Sequence, residues 1–176
     1  YEYDGFWADI GTIRAFFETN LALASKEPPF TLIDEGWPIY TRARFLPGSQ
    51  IERCQLEDVL FCEGCWVEDS HISQAVIGNR SQIRANTRIH HSILMGADYY
   101  GFFRRGEVVE GERMLGIGRD CDIEGAIIDK NASVGHGTVI RPFPRGCDED
   151  HDHFTVRDGI VVIPKNTTLP DGTRIA

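Results

Sequence analysis

The sequence predicts an all-β solenoid, a parallel β-helix of hexapeptide type, preceded by one helix and a linker. Three observations predict it. From Ile51 onward, aliphatic or aromatic residues recur at steps of five or six: Ile51, Leu56, Phe61, Val67, Ile72, Ile77, Ile83, Ile89 and Ile93 or Leu94. Such steps fit neither strand alternation nor a helical stripe. Three steps make a period of about sixteen, which places Ile51, Val67 and Ile83 in one column and Phe61, Ile77 and Ile93 in another. Gly48 and Gly64 share that interval, as turn glycines of successive coils would. Each coil then has three short strands and turns about three apolar side chains inward, at roughly 1.5–3 kcal/mol apiece before entropy is subtracted. One coil cannot stand alone, so neighbours must cover it.

Ahead of the solenoid, residues 12–24 (TIRAFFETNLALA) read as a helix. Ile13, Phe16, Phe17, Leu21 and Ala24 fall on one face. Thr12 suits the N-cap, and Pro28 and Pro29 forbid continuation. Residues 25–45 read as an extended linker, and residues 46–176 as the solenoid. Its pattern breaks near 96–116 (GADYYGFFRRGEVVEGERMLG), which reads as a loop extruded from the coils. It resumes at Ile117, with Ile123, Ile128, Val134 and Ile140. A second break, 141–154 (RPFPRGCDEDHDHF), is rich in proline, glycine and acid. The final segment, TVRDGIVVIPKNTTLPDGTRI, supplies a β-rich run and the last coil.

With 176 residues the chain has room for one domain, or one and a fraction. A net charge of −9 argues against nucleic acid or an anionic membrane as the main partner. It leaves room for a small anion at a local basic cluster. No apolar run reaches the ~18–20 residues that span a bilayer. There is no signal-peptide pattern, and the start at Tyr1 reads as a cut from a longer protein. The five cysteines (Cys54, Cys62, Cys65, Cys121, Cys147) are too sparse for a disulfide scaffold and suit a reducing cytoplasm. Cys62-Glu-Gly-Cys65 has CxxC spacing, but without a second pair it reads as small residues at a turn.

Several residues carry candidate chemistry. His136, in Val134-Gly135-His136-Gly137, faintly resembles a zinc ligand of a gamma-type carbonic anhydrase, yet no spacing supplies three convergent ligands. His90 or His91 could act as the base of a hexapeptide acyltransferase, or all three histidines are solvated turn residues. The cluster Asp148-Glu149-Asp150-His151-Asp152-His153 could hold a divalent ion or be a hydrated loop. Lysine is more informative: the chain has fifteen arginines and three lysines, and two of those lie in echoing motifs, IIDKN (Lys130) and VIPKN (Lys165). A lysine following inward-facing strand residues projects a compact cation from a rigid wall, which suits phosphate or carboxylate. Spacing alone also allows two idle surface lysines.

The stretches FWADIGTIRAFFETNLAL, IYTRARFLP, ILMGADYY, IIDKNASVG and RDGIVVIPKN together resemble glucose-1-phosphate adenylyltransferase, or ADP-glucose pyrophosphorylase, of the cyanobacterial and plant type. The likeness is to the C-terminal part of that family and covers nearly the whole chain in the family's order. It implies an enzyme that makes ADP-glucose and pyrophosphate from ATP and glucose 1-phosphate, for glycogen or starch. Residues 1–24 would then be the end of the nucleotidyltransferase domain and the linker helix. Asp9, in W-A-D-I-G-T, would match an aspartate that helps hold magnesium, and only with a second carboxylate from the missing catalytic domain. Lys130, Lys165 and Arg42, with Arg44 beside it, would match contacts to an allosteric anion: 3-phosphoglycerate, phosphate or a sugar phosphate. The implied partners are the chain's own catalytic domain and a homotetramer, and the implied compartment is the cytoplasm, or the plastid in a plant. This fragment by itself would be inactive. Two positions depart from the family pattern: Ser133 stands where arginine is common, and Pro164 precedes Lys165 where an aliphatic residue is usual. The repeat and the resemblance together imply a left-handed parallel β-helix that serves regulation and assembly. A hexapeptide acyltransferase and a non-catalytic assembly solenoid stand as the rival readings.

Overall fold

The computed structural model describes residues 2–101 and 114–176. Helix α1 (Ile13–Ala24) is followed by an exposed linker without regular structure and then by short strands wound as a three-walled parallel prism. The first wall stacks β1 (Gln50–Glu52), β3 (Trp66–Glu68), β5 (Gln82–Ile83), β7 (Gly116–Ile117), β10 (Ser133–Val134) and β15 (Thr168–Leu169). The second is made by the first halves of β2 (Gln55–Phe61), β4 (His71–Ile77) and β6 (Arg88–Leu94), then β8 (Asp122–Glu124), β11 (Val139–Ile140) and β16 (Arg174–Ile175). The third is made by the second halves of β2, β4 and β6, then β9 (Ala126–Ile128) and β14 (Ile160–Ile163). Residues 102–113 of the loop expected near 96–116 lie outside the described residues.

The columns follow from register. Ile51, Val67, Ile83, Ile117, Val134 and Leu169 are successive neighbours on the first wall. Leu56, Ile72, Ile89, Ile123, Ile140 and Ile175 line the second. On the third wall the sequence-based column needs correction. Phe61 and Ile77 are followed by Leu94, Ile128 and Ile163, not by Ile93. The third coil carries one extra residue in the turn between Ile83 and Ile89, so its rungs are seventeen apart, as in the Ser73–His90 contact. That slip of one turns Ile93 to the opposite face of the wall.

At the corner inside the long strands the backbone is left-handed at Asp58, Gln74, His91 and Gly125, stacked one above another. Gly64 turns a corner at φ +71° as expected. Gly48 does not: it precedes β1, and a Cβ there would meet nothing within 4 Å. The interior is nearly all aliphatic, with Val67, Ile72, Ile77, Ile83, Ile89, Ile123, Ile140 and Ile163 at 0% exposure. Among the described residues no buried side-chain nitrogen or oxygen lacks a partner.

Helix α1 begins at Thr12, whose Oγ1 accepts from the Ala15 N–H at 3.1 Å. It lies across β2, β4 and β6 on the outside of the prism. Phe17 and Leu21 pack on Ile93, Ile127 and Ile160, which the helix keeps dry. The Arg14 Nε donates to Asp158 Oδ2 at 2.7 Å, pinning the helix to the turn before β14. The break at 141–154 holds β12 (Glu149–Asp150), which pairs antiparallel with β13 (Thr155–Arg157); β13 in turn forms a hairpin with β14. No helix among the described residues is long and apolar enough to cross a membrane.

Candidate functional site

The corner between the third and first walls gathers the cations. Backbone bonds stack it from coil to coil: Arg80 N donates to Glu63 O (3.1 Å), Ala97 N to Asn79 O (2.8 Å), Asn131 N to Gly96 O (3.1 Å) and Asn166 N to Lys130 O (3.0 Å). Arg80, Asn131 and Asn166 all adopt left-handed φ, near +60°. Asparagine tolerates that conformation better than most residues. The repeated Lys-Asn pair now has a local cause: the asparagine turns the corner, and the lysine before it opens that turn two residues past the end of the third-wall strand. The Asn131 amide Nδ2 also donates to Asn166 Oδ1 at 3.2 Å, tying the two corners together.

Lys130 and Lys165 converge on one carboxylate. Lys130 Nζ meets Asp98 Oδ1 at 3.2 Å, and Lys165 Nζ meets Asp98 Oδ2 at 2.7 Å. Asn131 holds the aspartate from both sides: its Oδ1 accepts the Asp98 N–H (2.8 Å), and its Nδ2 donates to Asp98 Oδ2 (3.2 Å). Lys165 first, then Lys130, keep the Asp98 carboxyl well below the usual carboxylate range, and the same contact raises the Lys165 ammonium. The backbone that presents Asp98 is constrained. Gly96 has φ +81°, and a Cβ there would lie 2.1 Å from Asn79 O.

Beside this triad lies a cavity of about 460 Å³ walled by Arg42, Arg44, Asn79, Arg80, Asp98 and Lys130. Lys165 is not part of that wall and reaches the site through Asp98. Arg42 and Arg44 come from the exposed linker, where Arg44 Nη1 donates to Arg42 O at 3.3 Å. Arg80 donates to Ala97 O (3.3 Å) and stands 5.7 Å over the Tyr100 ring, whose hydroxyl donates to Gly64 O (2.9 Å). An acidic chain thus concentrates five cationic side chains around one carboxylate. The arrangement fits a small polyanion: guanidinium groups offer paired donors, and ammonium groups offer point charges.

Sequence reasoning singled out Arg42, Arg44, Lys130 and Lys165, and the fold brings all four to this corner. It missed Asp98 and Arg80. The period itself could have found Arg80, which follows the turn residue Gly64 by one coil. Asp98 lies in the ILMGADYY stretch, where nothing in the sequence marks it as the partner of either lysine.

The other candidates are placed elsewhere. Asp9 is exposed, and its Oδ1 accepts the Gly11 N–H at 3.0 Å. One such carboxylate does not make a magnesium site, and among the described residues no group of three or more His, Cys, Asp or Glu side chains could hold a metal. His136 closes a turn, its Nδ1 accepting from Arg119 N (2.8 Å) and its N–H donating to Asp171 Oδ1 (2.7 Å). His90 Nδ1 meets Ser73 Oγ at 2.9 Å, and His91 packs edge-on against Phe17 under α1. In the acidic loop, Glu149 pairs with His151 (2.8 Å) and Asp150 with Arg157. Cys65 is buried and Cys62 half-buried in the core wall, with burial pushing both thiols up.

Compared with protein-family models, residues 44–174 match the GLGC left-handed parallel beta-helix domain.

Proposed function

This chain belongs to the family of that left-handed β-helix domain, the C-terminal domain of ADP-glucose pyrophosphorylase, and we propose that it serves such an enzyme as its effector-binding and assembly region. The family is one of nucleotidyltransferases. In this proposal the intact enzyme makes ADP-glucose and pyrophosphate from ATP and glucose 1-phosphate, in the cytoplasm or a plastid, and apart from Asp9, which would hold magnesium only together with a carboxylate of the catalytic domain, the described residues take no part in the transfer itself. They bind a small anion, 3-phosphoglycerate, phosphate or a sugar phosphate, in the cavity at the corner. Lys130 faces it from the prism, Lys165 stands behind Asp98 on the adjacent coil, and Arg42 and Arg44 face it from the linker.

One observation carries this proposal: two lysines from distant segments already grip a single carboxylate at 3.2 and 2.7 Å, beside a cavity walled by three arginines. An anion there would bridge the linker to the prism. It would restrain residues 42–44, and so bias whatever the N-terminal segment is joined to. The open ends of the prism offer unpaired strand edges to neighbouring subunits, which suits a homotetramer. An acyltransferase is not favoured, because the family match points elsewhere and His136, His90 and His91 sit in structural contacts.

Titrating inorganic phosphate and 3-phosphoglycerate into the chain by calorimetry tests the proposal. Binding that weakens about tenfold or more in Lys165→Ala is the expected result. Equal binding by both proteins would remove Lys165 from the site.

A further inference from the structure

The anion site is not simply open. We propose that Asp98 is a tethered competitor for it: its carboxylate occupies Lys130 and Lys165 until a ligand with at least two negative charges displaces it, so that the site discriminates against monoanions. This rests on the anion-binding function proposed above and adds its selectivity.

The geometry is that of a bound anion. One carboxylate spans two ammonium groups from adjacent coils, oxygen to nitrogen, at 3.2 and 2.7 Å. Its backbone is held in place twice, by the Asp98 N–H to Asn131 Oδ1 bond and by Gly96, whose conformation leaves no room for a Cβ. A group tethered so closely acts at high effective concentration. A free monoanion brings the same charge without the tether and loses the exchange. A phosphate dianion brings two charges and several oxygens. It can satisfy both lysines and still reach Arg42 and Arg44, which face no carboxylate in an ion pair among the described residues. The Asp98 side chain is 40% exposed, and its partners are 37% and 47% exposed. Pairs this exposed are weak enough to exchange.

The test compares the full chain with Asp98→Asn and Asp98→Ser by calorimetry at fixed ionic strength, with inorganic phosphate and acetate as probes. Both variants should bind phosphate about tenfold more tightly than the wild type, the amount that two exposed ion pairs can withhold. Acetate should compete in the variants and not in the wild type. A second measurement needs no variant: in ¹³C-labelled wild type, phosphate should move the Asp98 carboxyl resonance together with the Lys165 side-chain resonances. Equal or weaker phosphate binding by the folded variants, or binding that leaves the Asp98 carboxyl unmoved, overturns the proposal. If phosphate binds the wild type and fails with Lys165→Ala while Asp98→Asn brings no gain, only the role of Asp98 falls. If neither the wild type nor the variants bind phosphate, both proposals fall.

Discussion

Replacing Phe17 with alanine asks whether α1 is a docked element or part of the solenoid's cooperative core. Phe17 is 1% exposed and packs with Leu21 against Ile93, Ile127 and Ile160. Its ring meets His91 edge-on, with centroids 5.0 Å apart. Truncating so buried a phenylalanine costs about 3–5 kcal/mol. The other contacts of the helix are smaller: Ala24 is buried and Phe16 packs part-buried on the same cluster. Leu21 adds roughly 1.5–3 kcal/mol, and the part-exposed Arg14–Asp158 pair adds less than about 1 kcal/mol. Twelve residues do not form a stable helix alone. The prism's own aliphatic cluster does not include Phe17. Phe17→Ala should therefore release the helix and leave the walls folded. Because α1 is the sole α-helix among the described residues, circular dichroism at 222 nm follows it directly. The variant should show a lower, separate loss of helical signal and an unchanged main melting transition. His91, now depressed first by burial and then by the charge of His90, should titrate closer to an ordinary histidine by NMR. A main transition lowered by many degrees, with helix and strands lost in one step, would refute the separate docking of α1.

Two further outcomes follow from the corner. The depressed Asp98 carboxyl contributes stability above the ordinary aspartate range and loses it only as pH falls through its lowered folded value; the raised Lys165 contributes below the ordinary lysine range and loses it as pH rises through its folded value. The stability difference between wild type and Asp98→Asn, read from urea midpoints, should thus be flat from about pH 5 to about pH 9, and a slope inside that window would contradict the pairing. Gly96→Ala forces a Cβ into Asn79 O at a left-handed residue, so it should destabilise the chain by about 1–3 kcal/mol and, by loosening the tether of Asp98, tighten phosphate binding; an unchanged urea midpoint and unchanged phosphate affinity would refute the close approach.

Much of the prism is legible in the sequence because one aliphatic residue per wall must point inward in every coil. Ile51, Val67 and Ile83 announce that directly. Ile93 and Leu94 show where periodicity stops. Both are aliphatic and adjacent, and only the extra residue in the preceding turn decides which faces the core. The hairpin of β13 and β14 is hidden because its residues satisfy the β pattern in either direction. The two lysines are legible through the repeated Lys-Asn pair. Their partner is not, because Asp98 lies 67 residues from Lys165 in sequence and meets it only once the coils are stacked. Arg80 is hidden for a different reason: at a corner where asparagine or glycine is expected, an arginine looks like ordinary surface.

The stacked walls also keep registration across long separations in sequence. Ile83 abuts Ile117, and Ile128 abuts Ile163, as closely as Ile51 abuts Val67. Each new rung takes its place from the wall beneath it and not from the chain that leads to it, so Lys130 and Lys165 stay on one vertical line although they lie far apart in sequence.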